Sequence, residues 1–355
     1  MGTKHCGLLI VGAGHAGSEL AIAARQGGWV GRIVLLGDEI GVPYQLPPLS
    51  KSYLLGKADL EALALRPTTV YEALQIERMQ GTCVVSIDRM ARSVMLADGS
   101  ALDYEKLALC TGGRPRPLLC DGIDQARPPA NLFTLRTLAD ADGMRAQLRP
   151  GTRVVVVGGG YVGLEVAASA RWHGAEVTVL EAQPRVLARV AGDEVSQFYQ
   201  AVHREAGVTI LTSTSIASMQ CQGDRIVAAH CSNGLRLEAD LVLAGIGMLP
   251  NIEAARAAGL AQEGVFPSTT WRVPPTPTSW PQATARSRIM STAGNCDSNL
   301  YPMHWNRREQ PPRGCVVIRS LIGRCPGSGR TSTISSCRWS ACLRGTTTVS
   351  CVAVL

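Results

Sequence analysis

The chain of 355 residues contains no run of 18 uncharged apolar residues, so it offers no segment able to cross a bilayer as a helix. Residues 1–263 hold only six of the 12 cysteines, Cys6, Cys83, Cys110, Cys120, Cys221 and Cys231. No two of these form a CxxC pair, and none lies between Cys6 and Cys83. Chemistry by a closely paired dithiol is not expected from that spacing. The first residues, MGTKHC, run straight into an apolar strand. They leave no room for a secretory signal, which points to the cytoplasm. Lysine is missing after residue 263. Residues 264–355 carry 11 arginines, with Asp297 and Glu309 as their acids. The formal net charge of +7 therefore belongs to that stretch, because residues 1–263 hold 24 basic and 26 acidic residues. No cluster of metal-ligating spacing stands out, and no metal is expected.

What is present is a glycine pattern that occurs twice. Gly12, Gly14 and Gly17 lie in LLIVGAGHAGSELAIAA, and Gly158, Gly160 and Gly163 in VVVVGGGYVGLEVAAS. Each GxGxxG follows an apolar strand and opens a helix. In such a turn the first glycine permits the tight bend and the second lets the backbone approach a pyrophosphate. The third lets helix and strand pack closely. The pyrophosphate rests on the helix N-terminus, where unpaired N–H groups and the helix dipole favour negative charge. About 20 residues on, a second short apolar strand leads to an acid, as the ribose hydroxyls of a dinucleotide require. These acids are Asp38 or Glu39 in the first repeat and Glu181 in the second. One such loop is weak evidence, whereas two in full strand–turn–helix–strand–acid context predict two dinucleotide sites. The fold expected is α/β, with two Rossmann-like dinucleotide-binding domains forming a weak internal duplication.

Between the repeats, GVPYQLPPLSKSYLLGK contains three prolines, which block regular structure and predict an ordered excursion or a lid. TCVVSID and SVMLADG alternate as hairpin strands do. DEVSQFYQAVHREAGVTIL reads as a helix and then a strand, and RIVAAHCSNGLRLEADLVLAGIG as an antiparallel hairpin followed by a buried strand.

The motifs VGAGHAG, VPYQLPPLSK, ALCTGGRPRPL, LRTL, GGGYVGLEVAA, VTVLEAQPRVLARV, FYQAVHREAGV and ADLVLAGIGMLPN together resemble the FAD-containing, NADH-linked ferredoxin reductases that serve bacterial oxygenases. The resemblance covers residues 5 to about 263. Leu46 stands where many members have arginine, and Cys110 where alanine is usual. The resemblance implies an FAD-binding domain over 1–115, an NAD-binding domain over 116–250 and a return to the first domain at 251–263. FAD would rest on Gly12, Gly14, Ala16 and Gly17, with Asp38 or Glu39 on its adenosine ribose and Val84 lining the adenine pocket. Lys51 would lie beside the isoalloxazine ring, unless it is a solvated surface lysine. Arg136 would reach a flavin phosphate or ring oxygen, or else cap a helix. NADH would rest on Gly158, Gly160 and Gly163. Glu181, followed by Ala182 and Gln183 rather than arginine, favours NADH over NADPH. Glu165 would lie near the nicotinamide or on a helix surface, and Gly245 and Gly247 would let a strand end pass close to it. Lys51 and Glu165 are the catalytic candidates. The implied activity is an oxidoreductase: electrons pass from NADH through FAD to a ferredoxin-type iron–sulfur protein or a rubredoxin. Nucleic acid and membrane are not expected partners. The thiol pair that flavoprotein disulfide reductases carry after the first fingerprint is absent from SELAIAARQGG.

The motifs stop near Gly264. Residues 264–355 show no period of 2 or 3.6, and an irregular tail is expected in place of a C-terminal domain. Joining the last base of each codon to the first two of the next permits IPVDDMARTTDPDILAAGDC from about Val265. The same shift permits ESVPNA over residues 299–304 and PWFWSDQY over residues 326–333. All three are family motifs, so a frameshift is expected. Two other readings then stand beside the reductase. One is an inactive product that binds NADH without flavin; the other is a related flavoprotein NADH oxidoreductase with another acceptor.

Overall fold

The structure is a computed structural model that describes residues 4–260 together with Ala353–Val354. The tail motifs expected from the frameshift lie outside the described residues. The chain divides into two units. The first comprises the described residues of Met1–Tyr44, Ala64–Gly113 and Pro250–Leu355, the second Gln45–Leu63 and Arg114–Leu249. The excursion containing PPLSK thus groups with the second unit, although its place in the sequence is inside the first repeat.

In the first unit, β1 (Lys4–Val11) leads through the glycine turn into α1 (His15–Gln26) and then β2 (Ile33–Leu36). Four further strands follow: β3 (Ile76–Met79), β4 (Val84–Asp88), β5 (Ser93–Leu96) and β6 (Ala101–Leu109). They form one sheet in the order β3-β2-β1-β6-β5-β4, with Ala353–Val354 also paired to β6. β1, β2, β3 and β6 run parallel, while β4 and β5 form the antiparallel hairpin expected. Parallel strands are covered on both faces and therefore read as continuous apolar runs, and every residue of β2 is buried. Leu8, Ile10, Ile33 and Leu35 pack with Ala21 and Ile22 of α1.

The second unit repeats this plan with β7 (Leu132–Phe133), α2 (Leu138–Gln147), β8 (Arg153–Val157) and α3 (Tyr161–Trp172). After these come β9 (Glu176–Leu180), α4 (Asp193–Glu205), β10 (Val208–Leu211) and, at the end, β14 (Leu241–Ala244). Its sheet has the order β10-β9-β8-β14-β7 and is parallel throughout. Between β10 and β14 the chain forms an antiparallel sheet of β11 (Ile216–Gln222), β12 (Arg225–Cys231) and β13 (Arg236–Glu238). Buried Asn131 ties these parts together. Its amide donates to Ile226 O at 2.8 Å and Asp240 O at 2.9 Å, and its oxygen accepts from Ile226 N at 2.8 Å. The PPLSK excursion is ordered: Pro47–Ser50 forms a 3₁₀ turn. Leu54 just beyond it is fully buried and packs with Val166, Ala167 and Ala170 of α3.

Candidate functional site

Both glycine turns take the shape that the fingerprint chemistry requires. Gly12 has φ +107° and Gly158 φ +109°, a left-handed conformation open to glycine. A Cβ at Gly17 would lie 1.9 Å from Gly12 O, and one at Gly163 2.0 Å from Gly158 O. These outer glycines are therefore explained by the protein's own packing. The middle glycines are not. A Cβ added to Gly14 or Gly160 meets nothing within 4 Å. Each is the N-cap of its helix and lacks a side-chain cap. Among the described residues nothing therefore crowds the backbone at the start of α1 or α3, the place where a helix N-terminus can receive an anion. Ala16, half-buried, sits in the first turn of α1.

The two loops match in their backbone bonding, and the match sets the register of the acids. Gly12 N–H donates to Leu36 O at 2.9 Å, as Gly158 N–H does to Leu180 O at 2.7 Å. The next residue of each strand, Gly37 and Glu181, donates to the neighbouring strand at Met79 O and Leu211 O. Gly37 therefore holds the place of Glu181, and Asp38 and Glu39 follow one and two positions later. The reason is steric. A Cβ at Gly37 would come within 2.7 Å of Ala13 Cβ, whereas in the second loop Gly159 leaves the room that Glu181 fills. Glu181 is held by its own loop: Oε2 accepts from Gly159 N and Oε1 from Gln183 N, both at 2.8 Å. Asp38 is exposed, and Glu39 accepts from Tyr44 Oη at 2.6 Å. Val84 begins β4 half-buried.

Lys51 and Glu165, 114 positions apart in the sequence, form one ion pair in the second unit, with Nζ 2.7 Å from Oε2. Glu165 projects from α3, one turn after the glycine loop, and Lys51 follows the 3₁₀ turn of PPLSK. The pair was not legible in the sequence, and neither was its third member. Ser50 donates to the same Oε2 at 2.6 Å, and its carbonyl accepts from Ser169 Oγ at 2.7 Å. The only sequence signal was the position of Ser50 inside PPLSK. Arg136 is half-buried just before Thr137, which caps α2 in a reciprocal box with Asp140. Gly245 donates to Val157 O at 2.8 Å, and its own carbonyl lies where a Cβ on Gly158 would strike it at 2.5 Å. Gly247 has φ +113°. Cys110 is the first unit's counterpart of Gly245, donating to Val11 O at 2.7 Å.

Cys83, Cys120, Cys221 and Cys231 are free thiols. Burial pushes Cys6, Cys120 and Cys231 up from the ordinary thiol range, the reverse of what a nucleophilic thiolate needs. Among the described residues no cluster of His, Cys, Asp and Glu is arranged to hold a metal. No described helix is long and apolar enough to cross a membrane.

A family profile described as pyridine nucleotide-disulphide oxidoreductase matches residues 7–267. Putidaredoxin reductase of Pseudomonas putida is 50% identical over 331 residues, covering 90% of this chain and 75% of that one. That alignment runs past residue 263, beyond the span that the motifs carry. Rubredoxin-NAD(+) reductase of Pseudomonas putida is 38% identical over 253 residues, covering 71% of this chain and 65% of that one. Among solved structures, the covalent putidaredoxin reductase–putidaredoxin complex matches with a TM-score of 0.70 at 48% identity. It covers 73% of this chain and 63% of that one. The chain thus spans just under two thirds of two of these three proteins.

Proposed function

The chain belongs to the pyridine nucleotide-disulphide oxidoreductase family, and from that premise we propose that it passes electrons from NADH through FAD to a ferredoxin-type iron–sulfur protein or a rubredoxin. The observation that carries this is the pair of open middle glycines, each beside an uncapped helix N-terminus. Glycine there is unexplained by packing, and a pyrophosphate lying against the backbone explains it. In the first loop Gly12, Gly14, Ala16 and Gly17 would hold FAD, with Asp38 or Glu39 toward its ribose, Val84 beside the adenine and Arg136 toward a phosphate or ring oxygen. In the second, Gly158, Gly160 and Gly163 would hold NADH. Bound FAD supplies the exchange of a two-electron hydride for the single electrons that an iron–sulfur centre accepts.

The protein's own contribution is positioning and charge. Glu181, tied to two backbone amides, would accept from a ribose hydroxyl and repel a 2′-phosphate. Lys51 would bring a cation to the electron-accepting ring, where it stabilises developing negative charge. Glu165 holds that ammonium in place. Gly245 and Gly247 would let the end of β14 run close to the nicotinamide. The described cysteines take no part. A cytoplasmic location accords with NADH as donor.

The names of the relatives favour putidaredoxin-type and rubredoxin-type acceptors over others. The test is direct. Purified protein is expected to be yellow, to bleach on anaerobic addition of NADH, and to reduce one iron–sulfur acceptor from a panel. A colourless protein that still binds NADH overturns the proposal in favour of a flavin-free product.

A further inference from the structure

We infer that Ser50 is a positioning residue that sets the Lys51–Glu165 pair, acting through the Glu165 carboxylate. Its functional meaning rests on the reading of that pair as part of the electron-transfer site, but the geometry is independent of it. Three facts combine. Ser50 is 4% exposed, so its hydroxyl must find a partner within the protein. That hydroxyl meets Glu165 Oε2 at 2.6 Å, the same oxygen that Lys51 Nζ reaches at 2.7 Å. Glu165 and Ser169 lie four residues apart, on one face of α3. Between them they engage both the side chain and the carbonyl of Ser50.

The consequence is mechanical. A carboxylate on a flexible side chain normally rotates among several donor arrangements. Two donors on one oxygen, one of them a buried hydroxyl on a clamped backbone, fix its rotation. Lys51 is thereby held although its side chain is 45% exposed, a setting in which an isolated ion pair is weak. Pro47 O lies 3.3 Å from both Ser50 Oγ and Lys51 Nζ, so Lys51 reaches this carbonyl and Glu165 together, and keeps only the weaker carbonyl bond when Glu165 turns away. Ser50 thus sets how firmly the ammonium is held at Glu165.

The experiment reads the ammonium itself. The full chain is labelled with trinitrobenzenesulfonate, and the rate at Lys51 is followed by peptide mass mapping. Ser50→Ala is expected to raise that rate about 10-fold, the scale of a hydrogen bond to a charged group, and Ser50→Thr to restore it. In a Glu165→Gln background, Ser50→Ala is expected to add nothing further. A rate unchanged by Ser50→Ala overturns the inference, and so does a full additional effect in the Glu165→Gln background. If Ser50→Ala does not fold, Ser50→Thr against Ser50→Val gives the same comparison at matched volume. Labelling is read whether or not the protein carries flavin. A colourless protein therefore defeats the proposed function while the labelling rates still decide this point. In flavin-loaded protein, Ser50→Ala is expected to lower kcat for NADH with KM unchanged. A change in KM alone would assign Ser50 to binding and overturn the positioning role.

Discussion

Adding one methyl group at either of two glycines three residues apart should have opposite consequences. At Gly160 the φ of −82° is ordinary for any L-residue, and among the described residues the new Cβ meets no atom within 4 Å. Gly160→Ala therefore adds no strain. Loss of N-cap preference costs about 0.5–1 kcal/mol, and reduced freedom of the unfolded chain returns about 0.4–1 kcal/mol. Stability should stay within about 0.5 kcal/mol of wild type. The methyl would enter the space proposed for the pyrophosphate, so NADH affinity should fall at least ~10-fold, or about 1.4 kcal/mol. Gly163→Ala is the reverse case. Helix propensity alone would favour alanine by about 1 kcal/mol. Its Cβ would sit 2.0 Å from Gly158 O and 3.2 Å from Val156 Cγ1, and the first of these is backbone that cannot swing aside. Overpacking of this kind costs about 1–3 kcal/mol or more. The net loss should lower Tm by several degrees, at about 2–4 °C per kcal/mol for a unit of this size. Thermal unfolding without ligand, paired with calorimetric NADH titration, separates the two. The reasoning is refuted if Gly160→Ala binds NADH like wild type, or if it destabilises as much as Gly163→Ala.

Three further outcomes follow from the same structure. Glu181→Ala removes the carboxylate held by Gly159 and Gln183; the preference for NADH over NADPH should drop at least ~10-fold, in line with one charge-assisted hydrogen bond, and an unchanged ratio in parallel titrations would exclude Glu181 from ribose recognition. Asp240 accepts from Arg153 N and Nε at 2.9 Å and Nη2 at 2.6 Å, and those bonds hold its carboxyl below the usual range. Because the folded state lowers that affinity for protons, the stabilisation is present above the ordinary aspartate range near ~3.9 and is lost as pH falls through the lower folded value. With the Asp240 side chain 41% exposed, screening limits it to under ~1 kcal/mol; Asp240→Asn should lower Tm slightly at pH 7 and flatten its decline below pH ~4, and equal acid slopes for both proteins would discount the pair. Lys51→Met should slow NADH-driven flavin reduction by ~10–100-fold while changing stability by under ~1 kcal/mol, because the Lys51 side chain is 45% exposed; stopped-flow reduction at wild-type speed would remove Lys51 from the chemistry.

Much of the site could be read before any coordinates. Both glycine loops, the strand–helix order around them and the β4–β5 and β12–β13 hairpins are local in origin. Each depends on a turn geometry or a hydrophobic period carried within ten to thirty consecutive residues. The register of the acids was less legible. Whether an acid falls directly after its strand or one residue later is settled by one Cβ, at Ala13 in one loop and absent at Gly159 in the other. The sequence shows both residues but not their contact. The polar clamps of Asn131 and Ser50 were missed for a related reason: a single buried amide or hydroxyl has no periodicity to reveal it.

The amino-acid order by itself determined that two strand–glycine turn–helix units exist and where each begins, because glycine's lack of a side chain and the alternation of apolar strands with helices act over short distances. It also ruled out a paired dithiol in the helix after the first turn, by composition alone. Only the tertiary structure decided that PPLSK packs with the second unit rather than the first, and that Lys51, Ser50 and Glu165 converge on one carboxylate oxygen. Those outcomes depend on which apolar surfaces Leu54 and its neighbours could bury against α3. A choice among distant surfaces leaves no trace in local pattern.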